Sequence, residues 1–338
     1  MTRPNVKLTK KQLVLLVIIA VGLLVFGILT AVSGAVAGTQ KTQYCAKYWD
    51  SDGRYSMVSV FLPEDSGLKQ EKVKQLQYTL DQALIKEAME APADNARLYV
   101  AAYSVKSQVS LSSQRAKSQQ CTAYGVGGDF FRFHNYELIS GSYLMEANDQ
   151  VVIDEEAAWK IFGAIEVDGM TLTYNGKEYI VQGVVKPQDG YKAKAGGAES
   201  GTVFFPLEAI GQDADCYEII FPNPVSGFAL KQVKGAFTSC GYSEDDIRII
   251  DNSERYNFVN SAKRVLKWTD KGMAFKALKY PYWENSAIAV ENIVDLLTFF
   301  RIIFIIPPIA IVIISVICFH PIHRLKLLIL RIVEHFRK

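Results

Sequence analysis

The chain has 338 residues, with 37 Lys and Arg against 35 Asp and Glu, and 49% of its residues are hydrophobic. The net charge of +2 combines basic ends with a mildly acidic middle, and that acidic middle argues against nucleic acid as a partner. The apolar residues gather near the two ends, which excludes an evenly patterned soluble domain and points to a membrane protein.

Residues 13–30 read LVLLVIIAVGLLVFGILT and carry no charge. Continued to about Gly34, the run can cross a hydrocarbon core of about 30 Å at about 1.5 Å per residue. Ala35-Val36-Ala37 has the small-residue form of a signal-peptide cleavage site. The run exceeds the roughly 7–15 residues of a signal-peptide core, however, so it reads as an uncleaved anchor.

From residue 55 to 62 (YSMVSVFL) the β-branched and aromatic content predicts a strand ended by Pro63. Asp65 or Ser66 is placed to cap a helix in which Val73, Leu76, Leu80, Ala83 and Leu84 recur at helical spacing. Residues 97–104 alternate as a second strand, completing a β-α-β unit. The Ser/Gln-rich stretch 107–120 reads as a loop or an exposed hairpin.

Residues 151–154 predict a short strand and 155–162 a short helix ended by Gly163. Residues 171–174, the turn Asn175-Gly176 and residues 179–185 carry a hairpin signal, since Asn-Gly favours the type I′ turn. Residues 190–201, rich in Gly, Ala and Lys, read as a flexible loop. A second β-α-β unit follows, with strands at 216–221 and 247–250 around a helix at 228–239. Two such units can join into one ferredoxin-like sheet.

Beyond Asp251 the chain turns helical. Pro281 interrupts it, and a helix from Asn285 or Ser286 is expected to run into a second uncharged segment, residues 302–319 (IIFIIPPIAIVIISVICF). Leu296, Leu297, Phe299 and Phe300 extend that segment upstream, broken only by Arg301. Pro307 and Pro308 should kink it about one turn into the bilayer.

Lys and Arg near the helix ends set orientation. The N-terminal tail has Arg3, Lys7, Lys10 and Lys11, and the C-terminal tail has Arg324, Lys326, Arg331, Arg337 and Lys338 beside Glu334. Both tails are therefore expected in the cytoplasm. Between them 28 bases meet 34 acids, a net of −6, so the middle of the chain is expected outside. Cys45, Cys121, Cys216 and Cys240 lie in that middle part, and Cys318 in the second apolar run. Four outside cysteines suggest two disulfides with three possible pairings, or else four buried thiols. In a β-α-β unit the helix end returns near the start of the first strand, so Cys216–Cys240 is the expected pair, leaving Cys45–Cys121.

The segment 129–207 resembles the extracytoplasmic core domain of MacB-like and FtsX-like ABC transporter permeases. The matching residues are Asp129-Phe130-Phe131, Leu138, Gly141, Val151-Val152-Ile153, Glu155, Ala158, Ile161-Phe162-Gly163, Gly169, Gly176, Tyr179, Val181-Gln182-Gly183-Val184 and Val203-Phe204-Phe205-Pro206-Leu207. The resemblance implies a separate ABC ATPase subunit as partner and allows a second permease chain. Such permeases usually carry four membrane helices, whereas this sequence continues only 19 residues past Phe319.

The expected fold is α+β. Two transmembrane helices flank an extracytoplasmic ferredoxin-like subdomain, which carries an inserted small β-rich subdomain and a helical stalk. The expected parts are a cytoplasmic tail (1–12), membrane helix (13–37), ferredoxin-like subdomain (38–129 and 203–252), inserted subdomain (130–202), stalk (253–298), membrane helix (299–319) and basic amphipathic tail (320–338).

The sequence has no phosphate loop of the form G-x-x-x-x-G-K-[S/T] and no G-x-S-x-G, and neither cofactor nor enzymatic activity is expected. His134 reads as a core or surface residue; His320 and His323 lack further ligands for a metal. Arg324, Lys326 and Arg331 read either as a basic face on membrane lipid or as contacts to an ATPase. The leading expectation is a permease-type subunit. The alternative is a membrane-anchored extracytoplasmic binding or sensing module without ATP coupling.

Overall fold

The computed structural model describes residues 9–64, 68–89, 91, 96–143, 145, 147–188, 190–267 and 278–319, except for the side chains of 192 and 317–319. In chain order the elements are α1 (Lys10–Ala37), α2 (Cys45–Trp49), β1 (Tyr55–Phe61), α3 (Gln70–Lys86), β2 (Val100–Leu111), β3 (Gln119–Gly128) and α4 (Phe130–Phe133). Next come β4 (Leu138–Gly141), β5 (Gln150–Asp154), α5 (Glu155–Phe162), β6 (Thr171–Tyr174), β7 (Lys177–Val185), α6 (Tyr191–Ala195), β8 (Thr202–Pro206) and α7 (Leu207–Ile210). The last are β9 (Cys216–Pro222), α8 (Phe228–Ser239), β10 (Arg248–Asp251), α9 (Phe258–Leu266) and α10 (Tyr282–Phe319).

The chain divides into two bodies. An αβ body comprises residues 40–257 and 269–291, and a helical body comprises 1–39, 258–268 and 292–338.

Ten strands form one sheet in the αβ body, in the order β10-β1-β9-β2-β3-β8-β5-β7-β4, with β6 also on β7. Each neighbouring pair among the first four is antiparallel, and α3 and α8 cross between the co-directional strands β1 and β2 and β9 and β10. β2 and β3 make a long hairpin across the Ser/Gln-rich stretch, from Ala102↔Gly128 to Leu111↔Gln119. β3 then pairs in parallel with β8, Thr122↔Thr202 to Val126↔Pro206, and β8 pairs antiparallel with β5, Val152↔Phe204 and Ile153↔Val203, so backbone hydrogen bonds run on from the expected ferredoxin-like part into the expected insertion. The Asn175-Gly176 turn joins β6 to β7 with φ of 48° and 76°, as a type I′ turn requires.

Strand alternation sorts the core into two layers, one on each face of the sheet. On one face Val58, Val60, Tyr217, Ile219, Phe221, Val203 and Phe205 meet Leu76 and Leu80 of α3 and Val233 and Phe237 of α8. On the other, Met57, Phe61, Ile220, Tyr124, Val126 and Phe204 meet Phe130 and Phe133 of α4 and Tyr282 and Trp283 of α10.

The same alternation overturns the expected disulfides. Cys216 and Cys45 belong with the second face, while Cys240 and Cys121 belong with the first. Neither expected pair can close through the sheet. All four are free thiols, and burial pushes Cys45 up to about 12 and Cys121 up to about 11. The side chain of Cys318 lies outside the described residues.

In the helical body, α1 and α10 are long and apolar enough to cross a membrane. Their Leu, Ile and Val side chains stay outward, with Leu24 at 64% exposure, where a soluble core helix would hide them. Thr9 caps α1, accepting from Gln12 N at 3.3 Å while Gln12 Oε1 accepts from Thr9 N at 3.0 Å.

α10 is unbroken through Pro307 and Pro308. Those prolines remove the amide partners of the Ile303 and Phe304 carbonyls. Gly22 of α1 lies against this spot, where an added Cβ would come 2.6 Å from Pro308 Cγ and 2.8 Å from Phe304 O. Close approach at a small residue is how membrane helices gain packing contacts.

Candidate functional site

The αβ body ends on the first turns of α10, and most of its buried polar groups converge there. Pro281 sets the helix start, its carbonyl accepting from the amides of Glu284 and Asn285 at 3.0 Å each. Tyr282 and Trp283 enter the second core layer. The Tyr282 and Tyr136 hydroxyls are 3.0 Å apart, and the Trp283 ring lies 4.1 Å from His134 and 5.8 Å from Tyr124.

The stretch expected as a flexible loop is seated on the same turn. Asn285 Nδ2 donates to Gly196 O at 3.0 Å, and a Cβ on Gly196 would stand 2.4 Å from Tyr282 O. Ala193 and Ala198 pack against the core layer that holds Trp283. The correction has a physical basis: a Gly at the contact point and flanking alanines let two backbones approach closely.

A chain of buried charges crosses the body from here. Arg255 donates to both oxygens of Glu284 at 2.8 Å and, through Nε, to Glu291 at 2.8 Å. Burial works against its charge, but Glu284 and Glu291 more than offset that and hold Arg255 above its usual value. Asn252 Nδ2 donates to Ser59 Oγ at 2.7 Å, and Ser59 Oγ donates to Glu218 Oε1 at 3.3 Å. Glu218 Oε2 is 2.6 Å from His134 Nε2, both side chains being buried. His134 is thus a core residue with an acidic partner.

Glu284 and Glu291 are seven residues apart, so two successive turns of α10 present both to one Arg. Removing either partner would strand a buried charge, so the triad fixes the rotation and register of α10 on the sheet. Sequence reading missed it because Arg255 sits in a polar stretch that looks like a solvated loop. The usable signal was the spacing of two acids just ahead of an apolar run.

A second concave feature is a cavity of about 990 Å³ lined by Glu64, Lys69, Lys106, Asp213, Asp215 and Lys279, among others. Burial pushes the Asp215 carboxyl up to about 7, with Glu64 adding to the effect. No group of three metal-ligating side chains occurs among the described residues. Pro307 and Pro308 lie in α10, and Arg324, Lys326, Arg331, His320 and His323 fall outside the described residues.

The MacB-like periplasmic core domain matches residues 14–235, two thirds of the chain. The chain belongs to that family. Its members are of the ABC-transporter permease type and not a family of catalytic enzymes. The periplasmic region of MacB from Actinobacillus actinomycetemcomitans is 19% identical over 65% of this chain and 94% of its own, with a TM-score of 0.43. The extracellular domain of the ABC-type transporter YknZ from Gram-positive bacteria is 12% identical over 58% of this chain and 100% of its own, with a TM-score of 0.39. A search of the curated proteins finds no match.

Proposed function

We propose that this MacB-like chain is a permease-type membrane subunit that couples a separate ABC ATPase to an extracytoplasmic αβ body, with both termini in the cytoplasm. The observation that carries the reading is α10. One unbroken helix holds the buried Glu284–Arg255–Glu291 triad at its start and an uncharged membrane-length run at its end. ATP-driven movement of the membrane segment would reach the sheet along that helix, and the triad would keep the two in register. We read the β10-β1-β9-β2 part as ferredoxin-like and residues 130–202 as a subdomain inserted into it. A second permease chain would supply further membrane helices.

The test is copurification from gently solubilised native membranes with nucleotide present. An ABC ATPase is expected to accompany the chain, and Arg324→Glu with Arg331→Glu should break the complex without preventing insertion. Persistent absence of an ATPase would sink the coupling and favour a membrane-anchored binding or sensing module. The polar cavity beside Lys279 and Pro281 is the feature that supports that second reading.

A further inference from the structure

Arg301 is a cation in the apolar part of α10, and it is 6% exposed. Its guanidinium lies 5.3 Å from the ring centre of Phe26 on α1 and 4.5 Å from that of Phe258 on α9. Two aromatic faces attract a cation without neutralising it. Among the described residues Arg301 has no ion-pair partner, and its Nε has no hydrogen-bond acceptor. Asp295, the acid nearest in sequence, is occupied: Arg264 Nε donates to both of its oxygens at 3.1 Å and Nη2 to one at 2.8 Å. Thr298, fully buried, also has an unpartnered hydroxyl. Residues three apart share a helix face, so the two orphaned groups form one strip.

Their depth follows from the helix pair. Gly22 lies near the middle of the uncharged run 13–30 and against Pro308. Arg301 precedes Pro308 by seven residues, roughly 10 Å along the axis. Phe26 follows Gly22 by four residues in the antiparallel direction, so both offsets point toward the same membrane face. With half a hydrocarbon core at about 15 Å, Arg301 lies roughly 5 Å inside the polar boundary. A long side chain at that depth can extend its charge to the headgroups.

We propose that Arg301 and Thr298 bind the phosphodiester of a phospholipid headgroup in the outer leaflet. The planar fork of a guanidinium matches phosphate oxygens, and a neighbouring hydroxyl adds one donor. The aromatic pair holds the fork in place, so little side-chain freedom is lost on binding. This inference rests on the membrane-spanning reading above.

The experiment uses the full chain in maltoside detergent, titrated with dioleoylphosphatidylglycerol, dioleoylphosphatidylcholine, dioleoylglycerol or inorganic phosphate. Thermal midpoints and native mass spectrometry give the readouts. Both phospholipids should bind and raise the midpoint, whereas dioleoylglycerol and inorganic phosphate should not. Arg301→Gln should weaken phospholipid binding about tenfold, and Thr298→Val should weaken it less. If Arg301→Gln does not fold, Thr298→Val and the contrast between phospholipid and dioleoylglycerol still decide. An equal response to dioleoylglycerol, or wild-type phospholipid binding by the variants, overturns the proposal; the latter would fit a carboxylate from a second chain. Release of the protein from membranes by alkaline carbonate would instead overturn the membrane reading on which the site depends.

Discussion

Arg255 occupies a position where charge and burial oppose each other. Its side chain is almost fully buried and is compensated by two acids on one helix. Arg255→Ala would leave Glu284 buried with no cation, and breaking such a pair costs about 3–5 kcal/mol. The expected result is a fall of that size in the stability of the detergent-solubilised chain, read by urea unfolding with tryptophan fluorescence. A loss below about 1 kcal/mol would mean the triad is solvated and fixes nothing. At this scale the sequence was partly legible. His134, read as a surface or core residue, is a core residue, but its partner Glu218 lies 84 positions away, and no local pattern connects them.

Elements with their own periodicity were legible, and those shaped by a distant surface were not. The predicted helix at 228–239 and the strands around the Asn175-Gly176 turn match because their signals are local. β2 runs to Leu111, well past the predicted end at 104, because its outer half pairs with β3 to Gln119. The Cys216–Cys240 expectation failed for a related reason: proximity along a β-α-β unit says nothing about which sheet face a strand residue takes. The segment around Gly196 offers an element-scale test. Gly196→Val would drive a side chain into the Tyr282 carbonyl and should cost about 1–3 kcal/mol, as overpacking does. Gly190→Ala, with open space around it, should leave the thermal midpoint unchanged. Equal midpoints for all three proteins would show that the segment is not seated on α10.

For the whole molecule, the topology proposed above puts the αβ body outside the cytoplasm, and this can be tested directly. Tyr191 is 87% exposed, whereas Cys121, Cys216 and Cys240 are buried and Cys45 is half-buried, so Tyr191→Cys adds an exposed labelling site to be read against the unsubstituted chain. A membrane-impermeant maleimide should label it in intact cells, while a cysteine replacing Lys338 should react only after permeabilisation. The reverse pattern would invert the topology. Composition made the two apolar helices readable without a structure. The joining of all ten strands was not readable, since the parallel pairing of β3 with β8 spans 80 residues and leaves no periodic trace.

The position of the triad in the chain also orders events during synthesis. Arg255 leaves the ribosome before either of its acids, and Glu291 follows it by roughly 2–7 s at about 5–20 residues per second. Through that interval the nascent chain carries Arg255 without the two acids that compensate it when it is buried. The second apolar segment, residues 302–319, follows Glu291 by about ten residues on the same helix. On the proposed topology, burial of Arg255 in the αβ body would therefore wait for the helix that enters the membrane.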